Sequence, residues 1–522
     1  MNRFAIRRRT TLGLLTVIGL SIPTRQTLAK EPQTLRVGIA QEAGNLDLLQ
    51  NESALSSYGL VFEGLVRYGG GGKLEPGLAE RWEMSGDGLA TTFYLRRGVR
   101  FSDGTPFDAE AARWNLARWI GKKDFSWIGI SEQFKKLEPV DAFTLKLTLK
   151  TPVPAALMEL SIVRPVRFLS PKAVDAKGTQ TAPIGTGPWK VVENTRSKTV
   201  LVPNDLYWGA KPTYKRVELA VVPDELSRVN ALRAGDLDVI GGEWVSPLQP
   251  SRAKSLSGQP GVVVLAEAGV STVLLGFNGN RGPLADVRVR HAVNLGLDRQ
   301  AIAEVLYRGY ADPASNLFPP TIPDAGQRRV VPVRDPAAAN RLLDDAGWKQ
   351  TGTTRSKDGK GLTLELIASD QVLPGARRLS EFILGQLGEL GITVKVSSLD
   401  DATYHDRRQK FEYDLAFFGT YAAPYDPHGS LGAMFVSTAD SGPDGKVFVS
   451  KALDGVVSAA LAASGDDRKA KVQKVYDWLD EQQAVCPLVY PQRLWAHSKR
   501  IKGLRLPPTE YEMPVAGISL EP

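Results

Sequence analysis

LTLELIASDQVLPGARRLSEFILGQLGELGITVKVSSL, residues 362–399, is the stretch whose reading decides the fold class. Residues 392–399 alternate apolar and polar positions, the spacing of a strand, and the mostly apolar run 362–369 reads as another. Residues 377–390 between them set Leu379, Ile383 and Leu387 four apart, the spacing of a helix with one buried face. Strand, helix and strand in this order form a βαβ unit, and the right-handed crossover makes its strands parallel. A further helix over 403–410 leads to a strand over 413–421, so a small doubly wound sheet is expected. Such sheets bind ligands beyond the carboxyl ends of their strands, where Tyr421 and the loop 422–428 fall.

Outward from this unit the pattern stays mixed. Asp286 and Asp298 stand as caps opening short helices, with Gly309 closing the second. Asp335-Pro336 opens another, which Gly347 ends. Nearer the start, 34–40 reads as a buried strand and 144–150 as a strand with one wet face. Asp108 caps a helix whose Ala112, Leu116, Trp119 and Ile120 form one apolar stripe. With 522 residues the chain exceeds what one hydrophobic core organises, so at least two lobes are expected.

Residues 1–29 read as a secretory signal rather than as part of the fold. Arg3 and Arg7-Arg8-Arg9 precede an apolar run from 12 to 22, and Thr27-Leu28-Ala29 offers small residues for cleavage. The run is shorter than the about 20 residues of a membrane span. Arg8-Arg9 also suits the twin-arginine export route, so both that route and the general one stay open. Arg3, Arg7, Arg8, Arg9 and Arg25 precede Lys30 with no acids, so removing them lowers the formal charge from +8 to +3. That charge is too mild to point to nucleic acid or an anionic membrane. Cys486 is the single cysteine, in an apolar run, which excludes an intramolecular disulfide and reads as a buried small hydrophobe. No cysteine stands at the signal exit to carry a lipid, so the expected location is the periplasm.

Several ordered motifs then carry a family resemblance. They are Phe62-Glu63-Gly64-Leu65-Val66-Arg67-Tyr68, Leu78-Ala79-Glu80-Arg81-Trp82, the run GVRFSDGTPF at 98–107, Gly185-Thr186-Gly187-Pro188-Trp189, Tyr207-Trp208-Gly209 and Val287-Arg288-Val289-Arg290-His291-Ala292. Over the mature length the sequence resembles family 5 extracellular solute-binding proteins, which serve ATP-driven importers of peptides, nickel and related solutes. The resemblance implies a type II, two-lobed α/β periplasmic-binding fold with a hinge. Lobe I would hold 30–270 with 500–522 returning to it, lobe II would hold 271–495, and the chain would cross near 271–278 and 486–499. It also implies a monomer that takes a small-molecule ligand and meets the permease and ATPase subunits of an importer at the inner membrane. It implies no catalysis.

Val163-Arg164-Pro165-Val166-Arg167-Phe168 and Ala423-Pro424-Tyr425-Asp426-Pro427-His428 look most like the nickel-binding members, which take the metal as a chelate with a carboxylate-rich organic ligand. By position Arg164 matches an arginine that pairs with chelator carboxylates. Trp127 and Tyr425 match aromatic walls, Tyr421 stands where a tryptophan is found, Thr509 falls at a cleft threonine, and Leu55 replaces a methionine. Two positions depart from that pattern: Asp124 replaces a second cleft arginine, and 435–440, FVSTAD, lacks the histidine that completes nickel coordination. His428 belongs to a different motif position.

The chemistry suits these assignments. A guanidinium offers a planar fork of donors that grips a carboxylate through two parallel hydrogen bonds. The alternative for Arg164 is an internal ion pair, and Arg167 is expected to point to solvent or to brace Arg164. Trp127, Tyr421 and Tyr425 could wall a compact chelate or pack in a core. His291, His405, His428 and His497 are isolated, so no metal site built by protein alone is identified and a nickel(II) chelate is the expected ligand form. No cofactor is expected. Ser251-Arg252-Ala253-Lys254 has the spacing of a nucleophile–lysine pair but lacks its companion motifs, and Gly69–Gly72 lacks a Walker ending. The function so implied is delivery of nickel, or a similar metal, as an organic chelate. The alternative is a di- or oligopeptide or an opine-like amino-acid conjugate without metal.

Overall fold

The computed structural model describes residues 33–50, 55–439 and 445–521; the segment read as a signal, 1–29, lies outside them. Two sheets organise the chain into two lobes. The first has seven strands in the order Val262–Glu267, Arg493–Ser498, Val239–Gly241, Thr34–Ile39, Arg216–Val221, Lys198–Pro203 and Trp189–Asn194. Thr34–Ile39 runs parallel to both neighbours and is buried along nearly its whole length, which its run of Leu35, Val37 and Ile39 requires. A separate four-stranded antiparallel sheet, Ala79–Met84, Ala90–Leu95, Thr144–Leu149 and Phe134–Asp141, packs on the helix Ala109–Ala117 around its own core of Phe93, Leu145, Leu147 and Leu116. Asp108 caps that helix by accepting from the Ala111 N–H at 2.8 Å. The helix ends before Trp119 and Ile120, which stay buried in the turn that follows.

The second lobe is built on six strands in the order Ala311–Pro313, Val485–Pro491, Val273–Phe277, Leu415–Gly419, Thr363–Ala368 and Thr393–Ser398. The βαβ unit forms as expected: Thr363–Ala368 and Thr393–Ser398 pair in parallel, and the helix Ala376–Gly388 between them buries Leu379, Ile383 and Leu387. The expected doubly wound sheet is corrected. Only these two strands and Leu415–Gly419 follow parallel pairing; Val273–Phe277 enters antiparallel beside Leu415–Gly419, and the sheet is mixed. The antiparallel strand is the one by which the chain first enters this sheet from the other, ahead of the βαβ unit. Asp286, Asp298, Asp335 and Asp400 cap the helices that follow them. The turn after Asp298 soon widens, with Ile302–Leu306 adopting π-type geometry.

The chain passes from the first sheet to the second between Glu267 and Val273, and back between Pro491 and Arg493. These crossings touch. A Cβ at Gly269 would stand 2.0 Å from the Pro491 carbonyl oxygen, and the Gly269 carbonyl accepts from the Thr321 hydroxyl at 2.6 Å. Gly269→Ala is expected to force the crossings apart and cost about 1–3 kcal/mol of stability, as other overpacked sites do. Chemical denaturation of the variant checks this, and an unchanged midpoint would refute it.

Candidate functional site

A cavity of about 1350 Å³ lies where the two sheets face each other, lined from both lobes. The first lobe supplies Leu55, Trp127 and Arg164, and the second Tyr421 and Tyr425. Five of the six residues singled out in the sequence thus meet here, from chain positions hundreds of residues apart. Thr509 does not line the cavity. It is buried, its hydroxyl has no hydrogen-bond partner, and its neighbours Glu510 and Tyr511 face the cavity instead. Asp124 is exposed on the short helix Lys123–Phe125, outside the lining.

Arg164 follows the buried run Ser161–Val163 and leads a cis peptide bond to Pro165. Among the described residues it makes no ion pair, and burial lowers the affinity of its guanidinium for its proton. Its nearest phenols are Tyr425 and Tyr58. Arg167 behaves otherwise and corrects the expectation of a solvent-facing or bracing role. Its Nη2 pairs with Glu512 at 2.7 Å and its Nη1 donates to the Phe62 carbonyl at 3.1 Å, so it ties the carboxyl-terminal segment to lobe I.

Aromatic rings form a connected wall. Tyr425 lies 6.4 Å from Trp127, 5.7 Å from Tyr421 and 5.8 Å from Tyr511, centroid to centroid. Tyr511 stacks on Trp244 at 5.4 Å. Such rings give a ligand flat apolar faces with polar edges. Burial pushes the Tyr425 phenol up to about 12, so it stays a hydrogen-bond donor at neutral pH.

Sequence reading missed Glu243, Trp244, Glu510 and Tyr511, which all line the cavity. Gly241 and Gly242, both at positive φ, turn the chain at the carboxyl end of the strand Val239–Gly241, and Cβ atoms there would strike Leu494 and Trp495. The turn presses on strand Arg493–Ser498 and exposes Glu243 and Trp244 to the cavity. A charged residue and a tryptophan after a Gly-Gly at a strand end were the available signal. Glu243 faces the water of the cleft yet is crowded by protein; that crowding, with Glu510 close by, pushes its carboxyl up to about 8.

The metal question follows from the donors. No cluster of three or more His, Cys, Asp or Glu able to hold a metal exists among the described residues. His428, on the helix Pro427–Phe435, lines the cavity with its Nδ1 buried and without a partner. Burial lowers its pKa against the pull of Asp426. His405 also lines the cavity but pairs with Asp401 at 3.0 Å. Thr438 and Ala439, from the segment lacking the expected histidine, line it too, while Asp440 lies outside the described residues. Ser251 and Lys254 sit on the helix Pro250–Leu256, away from the cavity. Cys486 is fully buried, 3.2 Å from Arg299 Nη2.

Glu159 supports the wall beneath Tyr425. It accepts from the N–H groups of Gly129 at 2.9 Å and Ile130 at 2.8 Å. Burial outweighs those bonds and raises its carboxyl from 4.5 to about 7, with Asp426 and Glu132 adding repulsion. The folded chain therefore holds a proton that the unfolded chain has released between those values. Stability from this group is present below about pH 4.5 and is lost as pH rises through about 7. Glu159→Gln, which mimics the protonated form, should flatten that decline, so the variant gains stability relative to wild type from pH 5 to 8. Parallel denaturation curves over that range would refute the assignment.

With the geometry in view, comparisons with known proteins can be set beside it. The family model described as "Bacterial extracellular solute-binding proteins, family 5 Middle" matches residues 73–442. The nickel-binding periplasmic protein of Escherichia coli K12 is 29% identical over 478 residues, covering 89% of this chain and 90% of that one. An ABC transporter substrate-binding protein from Sinorhizobium meliloti is 47% identical, covers 94% of this chain and all of its own, and superposes with a TM-score of 0.83. NikA from Brucella suis, solved in complex with Fe(III)-EDTA, is 30% identical with a TM-score of 0.88, again over 94% of this chain and 100% of that one. These relatives are substrate-binding proteins of transporters rather than enzymes.

Proposed function

Because the chain belongs to family 5 of the bacterial extracellular solute-binding proteins, we propose that it captures nickel, or a similar transition metal, as an organic chelate between its lobes. Members of this family bind small ligands and work with the permease and ATPase subunits of an importer, which would receive the cargo here. The observation that carries the reading is Arg164: a largely buried guanidinium on the cavity wall with no carboxylate partner among the described residues. A buried charge of this kind calls for an opposite charge, and a chelator carboxylate supplies one. The lack of a protein-built metal cluster among the described residues fits a metal that arrives already chelated, and His428 offers a free ring nitrogen. The relatives named for nickel and solved with a metal–carboxylate chelate support the same choice.

The proposal includes a monomer acting in the periplasm after removal of residues 1–29. It also includes the division into lobe I, 30–270 with 500–522, and lobe II, 271–495. Ligand would touch both lobes only when they close, and so would shift the population towards closure.

A second reading is capture of a di- or oligopeptide or an opine-like conjugate without metal. Cavity size favours it: about 1350 Å³ exceeds the roughly 300–1,000 Å³ of a typical small-molecule site. Native mass spectrometry with elemental analysis of protein from its own periplasm separates the two. A co-purified metal with a small acid supports the first reading, and a metal-free peptide or conjugate overturns it.

Arg164→Ala is expected to weaken binding of a carboxylate-bearing ligand by about 2–5 kcal/mol, roughly 30- to 5,000-fold. Arg164→Lys should recover part of that, because it keeps the charge and loses the fork. Titration calorimetry on both variants, with the melting temperature of the empty protein as control, checks this. Normal affinity with a destabilised empty form would sink the ligand-clamp role.

Nickel alone should bind weakly, and added free histidine should strengthen binding markedly. Submicromolar binding of bare nickel, retained in every single-histidine variant, would refute the chelate reading.

A further inference from the structure

The cavity carries a second charged end that the chelate reading does not use. Glu243 makes no hydrogen bond or ion pair among the described residues. Glu510 beside it receives only two long contacts, from Trp244 Nε1 at 3.4 Å and Ser271 Oγ at 3.3 Å. The nearest cation, Arg493, is committed elsewhere, to Glu267 at 2.9 Å and to the Pro507 carbonyl. Two carboxyl groups thus face one cavity with no salt bridge among the described residues.

Two independent features point to a ligand there. Trp244 is 44% exposed inside the cleft, and stacks on Tyr511 with ring centroids 5.4 Å apart. An indole held flat and open next to carboxylates offers a negative ring face to a cation. Thr272, next to Ser271, is 1% exposed and lines the same cavity, and its hydroxyl finds no partner. Arg164 belongs to a different neighbourhood, with Tyr425 and Tyr58 around it, so the cavity sets a guanidinium at one part of its wall and, at another, two carboxyls whose burial-raised pKa a bound cation would pull back down.

We propose that Glu243 and Glu510, with the stacked pair Trp244–Tyr511, form a subsite for an organic ammonium group. The ligand then carries a cation at this end and a carboxylate at the Arg164 end. A bare metal ion is disfavoured there, because the two glutamates have no third His, Cys, Asp or Glu to complete a metal cluster among the described residues. The proposal rests on the preceding reading for the cavity and the Arg164 end, and is independent of whether a metal is present. It selects among chelators and conjugates: those with a free amine not engaged by the metal.

The test uses the mature chain and three probes of equal length: protonated 1-aminopentane, 1-pentanol and pentanoate, each titrated in the millimolar range by ligand-observed NMR. The amine is expected to bind at least tenfold more tightly than the alcohol. Glu243→Gln and Glu510→Gln should each weaken the amine fivefold or more, while Arg164→Ala leaves it unchanged. Pentanoate should show the reverse pattern, weakened by Arg164→Ala and not by Glu243→Gln. Melting temperatures of all variants report on folding; Glu243 is solvent-facing, so its glutamine variant keeps the fold. An amine that binds no better than the alcohol, or that ignores both glutamine variants, overturns the subsite. If pentanoate still depends on Arg164 in that case, the functional reading stands and only this inference falls; if neither probe shows its dependence, both fall.

Discussion

The close contact of the two crossing segments at Gly269 is the constraint on which the rest of the molecule depends. Residues between Glu267 and Val273 pass beside Pro491–Arg493 with no room for a side chain at Gly269. Because the crossings are short and touch, the two sheets face one another at a fixed edge, and the space between them becomes the cavity. Ser271, Thr272, Val273, Pro491 and Arg493 all line it. The same residues that join the lobes therefore form part of the wall.

Charge placement separates structural groups from those facing a ligand. Several buried charges elsewhere are paired, Asp238 with Arg500 at 2.7 Å, Arg468 with Asp426 at 2.7 Å and Arg167 with Glu512 at 2.7 Å, while Arg290 and Arg299 donate to backbone carbonyls instead. Each pair joins distant parts of the chain, and removing one partner would strand the other in low dielectric. Arg164 and Glu243 have no such partners among the described residues and both line the cavity. A ligand of opposite charge in the cavity would give them fixed contacts.

Much of the local structure was legible because it rests on local physics. The βαβ unit at 362–399 showed as a mostly apolar run, then a spacing of about four, then a period of two, and the aspartate caps showed as single residues before apolar runs. Mixed pairing in the second sheet did not show. It arises where Val273–Phe277 pairs antiparallel with Leu415–Gly419, far along the chain, an event with no local signal. Arg164, Trp127 and Leu55 were legible only through resemblance, since nothing in an isolated arginine separates a cleft wall from a core; Tyr421 and the loop carrying Tyr425 were marked also by their place at a strand end.

By itself the sequence determined the α/β character, the need for more than one lobe, the lack of an intramolecular disulfide and the family. Period, capping, length and ordered motifs are properties of chain segments. Tertiary structure decided which charges are paired. Arg164 and Arg167 lie three residues apart in one motif, yet the first faces the cavity and the second is bound to Glu512. It also decided that Glu243 and Trp244, unmarked in the sequence, share a wall with Glu510 and Tyr511, more than 260 residues away in the chain. Electrostatic partnership depends on distance and desolvation in three dimensions, and neither is written in the order of residues.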